Sequence, residues 1–126
     1  MAGGAAVSAL AALVAGAAAL DYITGMLAAA KAGRLNSRGG LTGIYKKLSL
    51  FCALGLGFFL DAAIPVLAGR GLAAEISADL PFGLMIAAWV VLNESLSILE
   101  NLAGCGVRLP GALAKALRAA GEKLDK

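Results

Sequence analysis

Four carboxylates stand among apolar neighbours in this chain: Asp21, Asp61, Glu94 and Glu100. A carboxylate in such surroundings relays a proton, pairs with a cation or bonds across a helix contact. Asp21 carries the strongest demand, because it interrupts an apolar stretch that runs from Ala5 to Ala30. Near the centre of a membrane-spanning helix an Asp costs roughly 2.5–3.5 kcal/mol, so it is kept for a fold, an assembly or a pathway. Asn93, Glu94, Ser97, Glu100 and Asn101 fall in one sector about 120° wide at 100° per residue. Leu92, Leu96, Leu99 and Leu102 occupy the opposite side. The set of Asp21, Asp61, Asn93, Glu94, Ser97, Glu100 and Asn101 is therefore the candidate surface for assembly or for lining a pore. Asp61 has Pro65 four residues on, which places it near the end of its span, where a charge costs less.

Other chemistry is poorly supplied. The chain has no histidine, which removes the commonest general base and the commonest zinc ligand. Cys52 and Cys105 have no partner at metal-ligand spacing and read as small buried thiols. Gly55-Leu56-Gly57 is a small-residue pair inside an apolar run, suited to packing rather than to a phosphate. Glu94 and Glu100 offer acid/base chemistry only in principle, without an activated nucleophile. No catalytic, cofactor or metal site is expected.

The elements that must position these residues are helices. Of the 126 residues 60% are hydrophobic and 15% charged, and the mean hydropathy is +0.86, against about 25% charged in ordinary soluble domains. A soluble Ala-rich bundle would need polar helix faces that most of this chain lacks. The pattern predicts an all-α integral membrane protein, a single domain over residues 1–126, with spans at about 5–30, 48–68 and 80–103. Residues 104–126 form a basic tail containing a short amphipathic helix. Its apolar stripe is Leu109, Leu113, Leu117, Ala120 and Leu124, with Lys115, Arg118 and Glu122 facing away. In the first span Ala17, Asp21, Gly25 and Ala28 share a face, and small residues there let helices approach closely. No Lys or Arg precedes Lys31, so the first apolar run reads as a retained span rather than a cleaved signal.

Charge sets the expected orientation. Lys31, Arg34, Arg38, Lys46 and Lys47 fall between the first two spans, in a segment where Gly33, Gly39, Gly40 and Gly43 predict a loop. Arg108, Lys115, Arg118, Lys123 and Lys126 fall in the tail. Basic segments stay cytoplasmic, so the N-terminus is expected outside, with the acidic segment of Glu75 and Asp79, and the C-terminus inside. Basic residues without interleaved aromatics argue against nucleic acid as a partner.

Three ordered blocks carry a resemblance: Asp21-Tyr22-Ile23-Thr24-Gly25-Met26-Leu27-Ala28-Ala29, then Leu35-Asn36-Ser37-Arg38-Gly39-Gly40-Leu41-Thr42-Gly43-Ile44-Tyr45-Lys46-Lys47, then Asn93-Glu94-Ser95-Leu96-Ser97-Ile98-Leu99-Glu100-Asn101. With Val107-Arg108-Leu109-Pro110 and the basic tail, the chain resembles the phage-lysis and toxin-secretion holins, bacteriophage holin family 4 type. That resemblance implies a phage or prophage protein of the bacterial inner membrane that gathers with copies of itself and opens holes for an endolysin or a large toxin. Two other readings stay open at this stage: a subunit of an ion or small-solute carrier, and a membrane adaptor whose basic tail recruits a soluble partner.

Overall fold

The computed structural model describes residues 2–71 and 80–125. It contains four helices: α1 (Ala2–Lys31), α2 (Ser37–Gly69), α3 (Phe82–Gly104) and α4 (Gly111–Asp125). The first three are long and apolar enough to cross a membrane. The acidic segment expected at Glu75 and Asp79 lies outside the described residues.

The segment between the first two spans departs from expectation. Instead of a glycine-broken loop over 31–47, only residues 32–36 lie between helices. Asn36 explains the early start of α2. Its backbone is extended (φ −153°, ψ 161°) and its side-chain oxygen accepts from Gly39 N at 2.6 Å, satisfying an amide the first helical turn leaves open. Gly39, Gly40 and Gly43 therefore lie inside α2, as do Arg38, Lys46 and Lys47. Helical glycine carries an entropic cost, but here it permits contact: a Cβ on Gly43 would lie 3.2 Å from the Tyr22 ring. Gly33, with φ +73°, ends α1 in the left-handed conformation that suits glycine. Pro65 sits within α2 without ending it.

At the opposite end, Asp61 caps α3. Its carboxylate accepts from Phe82 N at 2.7 Å and Gly83 N at 2.9 Å, which ties the far end of α2 to the start of α3. Close approach makes this possible. A Cβ on Gly57 would lie 2.9 Å from Gly83 Cα, and one on Gly83 would lie 2.4 Å from Phe58 Cδ1. The small-residue pair at Gly55 and Gly57 thus contributes through Gly57 alone, since a Cβ on Gly55 meets nothing within 4 Å.

α1 packs most extensively on α3, α2 packs on α3, and α1 and α2 touch little. Val14, Leu54, Ala87 and Val90 form the buried core where the three meet. Most of the apolar surface faces outward, including Leu13, Leu20, Ile23, Leu56 and Phe59. Cys52 is also exposed and Cys105 half-exposed, against the expectation of buried thiols; Cys52 falls on the outer face of α2, away from the core.

α4 folds back along α3. Near its start, Arg108 and Pro110 line a groove with Ala103, and Ala114 and Arg118 line it with Leu96 and Leu99. Near its end, Leu124 shares a cavity with Phe82, Met85 and Trp89. The half-buried face is Ala114, Leu117, Gly121 and Leu124. The expected stripe of Leu109, Leu113, Leu117, Ala120 and Leu124 is rotated from this: Leu109 precedes α4, and it, Leu113 and Ala120 are exposed.

The close contact at Gly57 generates a prediction. Gly57→Val should destabilise the chain in detergent by about 1–3 kcal/mol, whereas Gly55→Ala should leave it unchanged. Thermal unfolding followed by Trp89 fluorescence measures both, and equal effects would deny that α2 and α3 meet at this glycine.

Candidate functional site

Equal offsets bring three charges together. Asp21 lies ten residues before the end of α1 at Lys31, Lys47 ten after the start of α2 at Ser37, and Glu94 ten before the end of α3 at Gly104. All three therefore sit at one level, about 15 Å from the same end of the bundle. Lys47 Nζ donates to Asp21 Oδ2 and to Glu94 Oε2. The three side chains retain only 13%, 9% and 5% of their exposure. One ammonium thus serves two buried carboxylates, one from each flanking helix.

Asn101 completes the network from about two turns further along α3. Its Nδ2 donates to Asp21 Oδ1 at 2.9 Å, to Asp21 O at 3.1 Å and to Thr24 Oγ1 at 3.0 Å. The Thr24 hydroxyl in turn donates to Leu20 O at 2.7 Å. Among the described residues no buried side-chain nitrogen or oxygen lacks a partner. One chain therefore satisfies this network without a second copy.

The sequence-predicted residues divide accordingly. Asp21, Glu94 and Asn101 come together, and Ser97 lines the adjoining cleft. Asn93 and Glu100 are exposed; Asn93 Nδ2 bonds back to Trp89 O at 2.8 Å, and Glu100 lines the groove toward α4. Asp61 lies apart, at the α3 cap. On α1, Gly25 faces Asn101, with 3.5 Å between a Cβ there and Asn101 Nδ2, and Ala28 faces Gly104, where an added Cβ would lie 3.5 Å from Ala28 Cβ. Ala17 is half-buried. Of the basic residues, Lys31, Arg34, Arg38 and Lys46 are exposed.

Lys47 is the correction. Assigned to a cytoplasmic loop from composition, it is instead the central cation of the site. The signal for this is Asn36, a cap residue outweighed in the sequence by the glycines that follow it; its cap starts α2 early enough to bring Lys47 level with Asp21. Thr24 and Tyr22 were also missed as partners; the Tyr22 hydroxyl donates to Gly40 O at 3.3 Å across the gap between α1 and α2.

The level of the triad also divides the bundle lengthwise. On one side run the apolar lengths, residues 4–20 of α1, 48–60 of α2 and 82–92 of α3. On the other lie Lys31, Arg34, Arg38, Lys46, Ser97, Glu100 and Asn101. The charged and amide side chains are thus gathered within about 15 Å of one end of the bundle, where they stand among exposed Ile23, Leu27, Leu41 and Ile44.

The model of the bacteriophage holin family matches residues 2–122. The chain belongs to the bacteriophage holin family. It is similar to the uncharacterized 14.9 kDa protein in nagH 3'region of Clostridium perfringens, 34% identical over 99 residues, which are 79% of this chain and 67% of that one. It is 30% identical over 98 residues to the uncharacterized protein BH0965 of Halalkalibacterium halodurans, covering 78% of this chain and 67% of the other. With the uncharacterized protein YqxH of Bacillus subtilis it shares 31% identity over 99 residues, 79% of this chain and 62% of that relative. The aligned part thus spans about two thirds of each relative's length. No solved structure matches the chain. Together the family and the three apolar helices make this a membrane protein.

In this holin-family chain the triad generates the second prediction. Lys47→Met leaves two buried carboxylates without a cation and should destabilise by about 3–5 kcal/mol. Neutralising all three, as Lys47→Met with Asp21→Asn and Glu94→Gln, should recover most of that loss, because a buried ion group replaced as a whole is often near neutral. Thermal unfolding in a nonionic detergent checks both; a Lys47→Met chain as stable as the parent would refute the pairing.

Asp61→Ala should cost about 1 kcal/mol through loss of the α3 cap, and Asp61→Asn much less. The same unfolding measurement separates them.

Proposed function

We propose that this protein is a holin: copies gather in the bacterial cytoplasmic membrane and open holes through which an endolysin or a large toxin leaves. It acts by assembly and not as an enzyme. The membrane-protein family supports the class, and the position of α4 carries the mechanism.

α4 returns along α3 as far as Trp89 and Phe82, beside the apolar length of the bundle. Its outer face bears Lys115, Glu122 and Lys123, while Arg118 edges the groove beside Leu96 and Leu99; all four are exposed, and Glu122 and Lys123 reach the apolar length. Each charge set against hydrocarbon costs roughly 2.5–3.5 kcal/mol. A single chain surrounded by lipid cannot keep that face there. A ring of copies can, when the α4 faces look onto shared water and the outward apolar sides of α1 and α2 look onto lipid. Before assembly the same basic amphipathic helix has a stable place on the anionic leaflet. The buried triad is satisfied within the chain, so copies meet through outer helix faces and not by completing the triad. The positive-inside rule directs the Lys31–Arg38 end toward the cytoplasm, with the N-terminus outside.

The test is release of sized dextrans from proteoliposomes. Protein-sized dextrans should escape, and Lys115→Gln, Arg118→Gln and Lys123→Gln together should slow their release at least several-fold while insertion persists. Retention of all dextrans with passage of ions alone would favour a carrier. Cells that stay intact and energised at high levels of the protein would refute the holin reading.

A further inference from the structure

We propose that the cleft between α1 and the first turns of α2 binds the phosphodiester headgroup of an anionic phospholipid. The cleft exists because α1 and α2 barely touch. Its volume is about 680 Å³, within the range of built small-molecule sites. Its cations are Arg34, Lys46 and Lys47, and its one carboxylate is Asp21. Asp21 and Lys47 already satisfy each other. Arg34 and Lys46 remain exposed, and among the described residues neither makes an ion pair. The guanidinium presents a planar fork matched to phosphate oxygens, and the ammonium adds a second positive charge. A zwitterionic headgroup would bring its own amine against these two cations.

Two further observations favour a lipid over a free anion. Gly39, Gly40 and Gly43 line the cleft beside Tyr22, whose ring packs on Gly43 and whose hydroxyl bonds to Gly40 O, so Tyr22 forms its wall toward the apolar side. A second groove of about 480 Å³ shares Tyr22, Met26 and Leu35 with the cleft and continues along Leu41 and Ile44. Headgroup and glycerol fit the first space, and the start of an acyl chain fits the second. The depth is also appropriate: the cleft runs from the level of the triad toward Arg34 and Asn36, at the end where the charged side chains gather. Basic pockets between membrane helices take anionic headgroups near such an end. The site depends on membrane insertion and not on hole formation.

The experiment titrates the full chain in nonionic detergent with phosphatidylglycerol or phosphatidylcholine and reads the Tm by Trp89 fluorescence. Phosphatidylglycerol should raise the Tm and phosphatidylcholine should not. Arg34→Gln with Lys46→Gln, both surface changes, should weaken the phosphatidylglycerol response roughly 30-fold. Arg118→Gln with Lys123→Gln, away from the cleft, should leave it intact. Equal responses to the two lipids, equal loss in both double variants, or a full response to inorganic phosphate alone would each overturn the proposal. Binding without dextran release would refute the holin function and leave this site standing.

Discussion

A buried ammonium held between two carboxylates decides the arrangement of this bundle. Lys47 comes from α2, Asp21 from α1 and Glu94 from α3. A charge deprived of water and of partners is intolerable in a low-dielectric interior, so the three helices are held in one register. A shift of α2 by a single turn would move Lys47 about 5.4 Å along the axis and strand both acids. Dispersion contacts among Val14, Leu54, Ala87 and Val90 fill the space but tolerate sliding far better than this bond does. Asn101 then fixes the rotation of α1 against α3, because its amide must meet both the Asp21 carboxylate and the Thr24 hydroxyl on one face of α1.

The opposite end of the bundle is held by a different device. Asp61 closes the N-terminus of α3 through two backbone amides, and Gly57 and Gly83 bring the backbones near enough for it. Charge pairing at one end and capping at the other leave the middle apolar throughout. The outside of that middle is apolar too, with Leu13, Leu20, Leu56 and Phe59 exposed. Such a surface requires lipid or further helices. Only α4 breaks the pattern, and its charged outer face is what makes the single chain incomplete in hydrocarbon.

Polar residues in a membrane protein invite the reading that they line a path. Here the most buried of them are structural and close on one another. The residues left for water are the outer ones: Asn93, Glu100 and the charges of α4. Under the proposed function the chain would stay inert while copies accumulate and then become permeable; inner polar groups satisfied at home and an amphipathic face on a separate helix would keep those two requirements apart.

Much of this was legible in the residues. The lengths of the apolar runs set three spanning helices, because hydrogen-bonded backbone is the condition for crossing oil. The blocks around Asp21, Asn36 and Asn93 pointed to the family that the chain belongs to. Small residues at Gly25 and Ala28 marked a close face on α1. Pairing was not legible, because periodicity places a residue on a face of its own helix and carries no information about the offset between helices. Lys47 therefore looked like one more loop cation until the Asn36 cap lengthened α2, and the docking face of α4 turned away from its most obvious leucine stripe to meet α3. Sequence alone determined which segments are helical and greasy, since that depends on neighbours along the chain; which charge neutralises which was decided only in three dimensions, where ten-residue offsets on three separate helices coincide.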